Sequence, residues 1–377
     1  MARELAPKTA SAKKTLAKKD FSLDDFKEEL GLTQISEVGE KPRVWIPVSS
    51  ALQDALGVPG IAKGFFTIVR GFSNTGKSTS MLECVRGCQQ MGIMPIVIDT
   101  ESNISWSHAR TMGVEIVQKL NKETGELTDT LADGMYVTCD FLIQRYGRRE
   151  DKTREVATIE NVAEFMNELL NMQAAGKLPR ELCFLWDSAG TLDCEKGVKS
   201  NSGNNMWNAG AMEAAFRSLI NQRIPLSRMA NKEFTNTFFV VQKIWLDSSQ
   251  GNGVIKHKGG EAFFYGARFI IHFGGITSHG TKRHIATAKG RSYVFGTEAK
   301  ISVAKNQITD SVYDGTKIIS TAHGFIGSDT ASIEAYKKEH KDYLLKQLEV
   351  EGDESGEDFD IEIISENVPD ESAFSEA

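Results

Sequence analysis

In the octapeptide Gly71-Phe72-Ser73-Asn74-Thr75-Gly76-Lys77-Ser78, two glycines bracket four residues and a Lys-Ser pair follows at once. Few short patterns restrict a fold as tightly. The glycines let backbone N–H groups turn inward around phosphates, Lys77 can bridge the β- and γ-phosphates of a nucleoside triphosphate, and Ser78 can ligate Mg²⁺. A phosphate loop of this Walker A kind needs a strand before it and a helix after it. Thr67-Ile68-Val69 supplies the strand, and residues 77–91, with Thr79 in the first turn, supply a helix whose N-terminal dipole points at the anion. A glycine-rich surface turn is the plain alternative, but the flanking elements are those the chemistry requires.

The other half of such a site is an acid at the carboxyl end of a buried strand. Cys183-Phe184-Leu185-Trp186-Asp187-Ser188 reads as that strand, because burial on both faces leaves a continuous apolar run. Asp187 would then hold Mg²⁺ through water, which makes Ser78 and Asp187 the expected metal residues. Met94-Pro95-Ile96-Val97-Ile98-Asp99-Thr100-Glu101 is a further buried strand, and its two terminal acids, one residue apart, invite catalysis.

At 377 residues, 40% hydrophobic and 25% charged, the chain has material for one large α/β domain with appendages. No apolar run approaches a membrane span, and the Lys-rich start is not followed by an apolar segment, so a cytoplasmic protein is expected. Cys84, Cys88, Cys139, Cys183 and Cys194 lack zinc or disulfide-framework spacing. Cys84 and Cys88 lie one helical turn apart and read as packed thiols rather than ligands. The net charge of −7 is unevenly placed. No Lys or Arg follows Lys346, while residues 349–377 hold twelve acids, so the body is mildly basic and the tail self-repelling. Such a tail is expected to be disordered, either competing with nucleic acid for basic surface or only aiding solubility.

Along the chain, residues 1–44 read as a basic arm with a short helix at 22–30, and residues 45–330 as the core. A C-terminal helix is expected over 331–348 and the disordered acidic tail over 349–377. Val44-Trp45-Ile46 is extended and limited by Pro47. The capping-box spacing from Ser50 to Gln53 predicts a helix from Ala51 to Leu56. Polar turns make 121–153 an inserted excursion, and helices follow at 159–175 and 209–222. Mobile loops are expected at 193–205 and 247–260, with strands at 238–242, 269–273 and 300–304 completing the sheet.

In this order the pieces resemble the RecA-type recombinases, above all the compact phage members, over about residues 45–327. Asp99-Thr100-Glu101 followed by Ser107-His108-Ala109-Arg110-Thr111-Met112-Gly113-Val114 is similar to the family's acid strand and ensuing helix. Asp187-Ser188-Ala189 looks like its Walker B segment. Gln242 ends a strand before a loop that closes in Gly259-Gly260-Glu261-Ala262-Phe263-Phe264-Tyr265, and the stretch from Gly296 to Gln307 is the most family-specific. The resemblance implies an α/β fold: a RecA-like P-loop ATPase core with a mostly parallel central sheet flanked by helices.

Roles follow from the resemblance position by position. Glu101 would orient the attacking water, and Gln242 would sense the γ-phosphate and couple it to the loop beyond. Lys305 would supply a cation across a subunit interface, although the family's second lysine is here Gln307. His108 stands where an aromatic stacks on adenine; an ordinary surface histidine is the alternative. For DNA, the first loop offers Lys196, Lys199, Met206 and Trp207, and the second Lys243, Trp245, Lys256 and Lys258, cations for phosphates and flat or apolar groups for bases. The implied activity is a DNA-dependent ATPase using ATP and Mg²⁺. It would form filaments on single-stranded DNA and promote pairing and strand exchange with double-stranded DNA, with mediator or single-strand-binding proteins as possible partners and, for a phage protein, the host cytoplasm as location. Phe21 and residues 24–30 are candidate polymerisation contacts, a solvated arm being the alternative. A hexameric helicase of the same fold is the rival, though no arginine finger late in the chain supports it, and a non-enzymatic annealing protein is a third.

Overall fold

The first helix, α1 (Leu23–Glu29), buries none of its residues and is capped by Ser22, whose Oγ accepts from Asp25 N at 3.2 Å. It belongs to a computed structural model that describes residues 22–31, 39–121, 125–147, 156–200, 205–247, 254–257, 260–274, 280–309, 311, 313, 315–349 and 361–369. β1 (Trp45–Pro47) and β2 (Gly60–Ala62) pair antiparallel as a separate small sheet around α2 (Ser50–Leu56). The cap of α2 is Ser49, not the expected Ser50. Glu83 Oε2 accepts from both Ser49 N (2.9 Å) and Ser49 Oγ (2.8 Å), which fixes Ser49 outside the helix and starts it one residue early.

Next come β3 (Phe66–Gly71), α3 (Lys77–Gln90), β4 (Met94–Asp99) and α4 (Trp106–Thr111). A hairpin of β5 (Ile116–Leu120) and β6 (Leu127–Leu131) precedes β7 (Met135–Thr138) and α5 (Cys139–Tyr146). This corrects the expected excursion over 121–153: β7 joins the main sheet parallel to β4. As an edge strand with only Val137 fully buried, β7 carries little apolar signal. α6 (Ile159–Ala174) and β8 (Leu182–Ala189) lead to α7 (Glu195–Ser200), which lies within the expected first loop. α8 (Asn205–Ser218) runs through a π turn, Leu219–Arg223, into α9 (Ile224–Leu226). β9 (Thr237–Asp247) extends five residues past Gln242 and hairpins with β10 (Val254–His257), so the expected second loop is partly a β-ribbon.

α10 (Gly260–Gly266), β11 (Phe269–Gly274), β12 (Gly280–Ala288), the long β13 (Arg291–Asn306), β14 (Thr316–Thr321) and β15 (Gly324–Gly327) follow. The expected single C-terminal helix is two, α11 (Thr330–Glu339) and α12 (Lys341–Gln347), broken at His340. β16 (Glu362–Pro369) corrects the expectation of a disordered tail over these residues, because it adds antiparallel to β12 while Ile361 is buried beside Phe295, Leu344 and Leu348. The apolar–acid alternation Ile361-Glu362-Ile363 carried that signal beneath the tail's overall charge.

The main sheet runs β15-β14-β13-β11-β3-β9-β8-β4-β7. Its centre, from β11 to β7, is parallel throughout, and the β13 side is antiparallel. All eight residues of β8 are buried, as a strand covered on both faces must be. One face packs on α2 and α3, the other on α6, α8 and α10. Cys84 and Cys88 meet Cys183 of β8, their sulfurs all within 4.8 Å of one another in the first core.

Candidate functional site

The carboxyl ends of β3, β4, β8 and β9 lie side by side, and four sequence-predicted groups meet there. After β3 the backbone turns through left-handed Asn74 (φ 57°) and Gly76 (φ 95°) into α3. No side chain caps α3, so the N–H groups of its first turn have no capping oxygen, an arrangement suited to an anion cradle. Lys77 Nζ donates to the loop's own Phe72 carbonyl, and Thr75 Oγ1 donates to the same oxygen at 2.8 Å. Ser78 Oγ donates to Asp187 Oδ2 at 2.9 Å. Thr79 Oγ1 pairs with Ser320 Oγ of β14 at 2.7 Å.

Three carboxylates crowd this point. Burial, then the neighbouring Glu101 and Asp99 charges, push the Asp187 carboxyl up to about 6 against the Ser78 hydrogen bond. Asp99 closes the turn after β4, its Oδ1 accepting from Glu101 N (3.1 Å) and its Oδ2 from Ile104 N (3.3 Å) and Tyr136 Oη (3.0 Å). Glu101 accepts from Ser188 Oγ, from Asn103 Nδ2 at 3.0 Å and from Lys243 Nζ at 2.7 Å. Burial pushes Glu101 up, but the Lys243 and Ser188 hydrogen bonds outweigh it and hold the carboxylate below its ordinary range. An uncapped helix start beside a hydroxyl and a cluster of acids fits a phosphate chain with a divalent cation: the cradle attracts the one and the acids the other.

The remaining expected residues divide. Gln242 is buried and stands in register with Arg70 of β3, which in turn opposes His272 of β11. Lys243, expected in the DNA set, reaches the acid cluster. Half-buried His108 sits on α4 with its pKa lowered by burial, and it lies near enough to His323, in the β14–β15 turn, to oppose that residue's protonation. Lys305 Nζ donates to the Tyr265 carbonyl at 2.8 Å, and Gln307 Oε1 accepts from Arg268 at 2.8 Å. In the first loop, Lys196 Nζ lies 4.4 Å from the Trp207 ring centre and Lys199 is 4.0 Å from Glu195. The side chains of Met206, Trp245 and Lys256, and all of Phe21 and Lys258, lie outside the described residues.

Sequence reasoning missed Glu83. Fully buried on α3, it joins the start of α2 through Ser49 to β15 through Phe325 N (2.9 Å), and burial raises its pKa despite these bonds. A Cβ on Gly76 would meet the Phe325 ring at 2.8 Å, so β15 also braces the phosphate loop. An acid within an otherwise apolar helix face, Met81-Leu82-Glu83-Cys84-Val85, was the available signal.

Fold and site together define a RecA-like P-loop core, α/β with a parallel centre and helices on both faces. Comparison with known proteins agrees: residues 18–137 match the family model described as the RecA N-terminal domain. Curated relatives include Protein RecA of Chloroherpeton thalassium, 29% identical over 145 residues, covering 35% of this chain and 41% of the relative. Protein RecA of Salinispora arenicola is 32% identical over 120 residues (30% and 34%), and that of Bacillus subtilis 30% identical over 122 residues (31% and 35%). The chain thus spans 34–41% of the length of these relatives. Among the described residues no helix is long and apolar enough to cross a membrane.

Proposed function

We propose that this chain is an ATP-dependent DNA recombinase of the compact phage-like kind, which forms filaments on single-stranded DNA and promotes homologous pairing and strand exchange. The observation that carries the reading is one juxtaposition: the phosphate loop, Glu101 and β9, which runs from Gln242 directly into the β9–β10 ribbon, share one sheet edge. In this reading the α3 N-terminus and Lys77 hold the triphosphate of ATP, Lys77 exchanging the Phe72 carbonyl for phosphate oxygens. Ser78 and Asp187 hold Mg²⁺, which when bound neutralises charge on the transferring phosphoryl group. Glu101 orients the attacking water, Gln242 senses the γ-phosphate, His108 stacks on the base and Lys305 acts on a neighbouring protomer's nucleotide.

DNA engages the first loop through Lys196, Lys199, Met206 and Trp207 and the second through Trp245, Lys256 and Lys258. α1 suits a polymerisation contact, since Leu23 and Phe26 on a helix that buries nothing, and Leu30 at its C-cap, are each about half exposed (54%, 45% and 55%). Mediator or single-strand-binding proteins are further partners, and a host cytoplasm is the setting.

The test is ATP hydrolysis with and without single-stranded DNA. Stimulation by DNA is expected, with Lys77→Ala and Glu101→Gln each lowering the stimulated rate about 10²- to 10⁴-fold and filaments retained by Glu101→Gln in electron micrographs. Equal rates with and without DNA, or closed rings in place of filaments, overturn the reading.

A further inference from the structure

Glu101 does not face the phosphate cradle freely; it is held. The pleat explains how Lys243 reaches it. Along β9, Phe238 and Val240 pack on the α6–α8–α10 face and Phe239 and Val241 on the α3 face, so Gln242 and Lys243 point to opposite sides. Lys243 opposes Gly71 in the register, which sets it beside the first glycine of the phosphate loop. One strand therefore presents a glutamine to one face, a lysine to the acid cluster on the other, and then continues into the ribbon.

Resting on the function proposed above, we propose that Lys243 is a positioning residue that holds Glu101 in an idle state until a polynucleotide draws the lysine away. The pair is asymmetric: the lysine side chain is 53% exposed and the glutamate 9%. The lysine is thus the partner that can leave into water or onto a phosphodiester. Its departure does not strand the carboxylate, because Ser188 and Asn103 still donate to it. Departure does relieve Oε2 of one of the two donors it holds, leaving Asn103 there and opening an acceptor position for a water. A half-exposed ion pair adds at most about 1 kcal/mol to stability, so fold maintenance does not explain it. A phosphate backbone offers the ammonium a competing anion at little net cost. Coupling of this kind is reciprocal: what releases Lys243 from Glu101 must also favour DNA.

The test uses the full chain without nucleotide and a fluorescein-labelled oligothymidylate at one fixed salt concentration, read by anisotropy. Glu101→Gln removes the competing anion, so affinity is expected to rise about fivefold. The gain should vanish when Lys243→Met is added. In parallel, Lys243→Met is expected to raise DNA-independent ATP hydrolysis and lower its stimulation ratio, while Lys243→Arg keeps the low resting rate. Unchanged affinity in Glu101→Gln, a gain that persists in the double variant, or a resting rate in Lys243→Met at or below wild type overturns the inference alone, provided that wild type is stimulated by DNA. A wild-type chain that neither binds the oligonucleotide nor hydrolyses ATP overturns the proposed function and this inference with it.

Discussion

His272 lies in the interior row with Gln242 and Arg70, and its Nδ1 is buried without a hydrogen-bond partner among the described residues. Burial, and then the Arg70 guanidinium, pull its pKa from 6.5 down to about 4. Between those values the unfolded chain binds a proton that the fold refuses. The histidine's contribution to stability is therefore complete above pH 6.5 and lost as pH falls toward 4. His272→Gln should remove about 2 kcal/mol of the stability that wild type loses between pH 7 and pH 4, measured by urea unfolding at each pH. An acid limb as steep as that of wild type would show that the imidazole is hydrated. Arg70 itself stacks 4.8 Å from the Phe264 ring centre, so the row also anchors α10, the helix that closes the second loop.

At the scale of elements, the close approach of β3 to β11 makes a testable demand. A Cβ on Gly71 would run into the Phe273 carbonyl, a backbone atom that cannot move without parting the strands. Gly71→Ala should cost about 1–3 kcal/mol and lower the thermal midpoint, with nucleotide affinity falling too, because the same residue opens the phosphate loop. β16 makes the opposite case, an element held by little. Ile361→Ala should loosen it at a local cost of about 2 kcal/mol or more, seen as faster amide exchange along β12 and β16 with β3 and β8 unchanged. Uniform acceleration across the main sheet would mean that the strand is integral to the core.

For the whole molecule the relevant quantity is where charge sits. The acidic residues after Lys346 leave a mildly basic body, and Lys196 and Lys199 stand on α7, within the expected first loop that leads from β8. If these lysines meet phosphates, affinity for single-stranded DNA falls with salt, and each Lys→Ala change lowers the log–log slope by about 0.7. A slope that is unaltered in both variants would move the DNA path off this loop. Assembly belongs to the same scale, since Lys77, Ser78 and Asp187, proposed above to hold the nucleotide and its metal, come from one chain whereas the role proposed for Lys305 needs a second.

The phosphate loop, its strand and helix, and the acid strands were legible in the sequence because each obeys a local rule: glycines where the backbone must turn, continuous apolar runs where both faces are covered, an acid where a strand meets solvent. β7 and β16 were not, because edge strands bury one or two side chains and their polar residues imitate loops. Glu83 and the pairing of Lys243 with Glu101 were equally hidden, since partners 242 and 142 positions apart leave no periodic trace. By itself the sequence determined that a glycine-bracketed loop would join a strand to a helix beside strands that end in acids. Only the tertiary structure decided which side chains the acids there pair with, because a long-range contact is set by strand order and pleat, which place distant side chains together irrespective of their spacing along the chain.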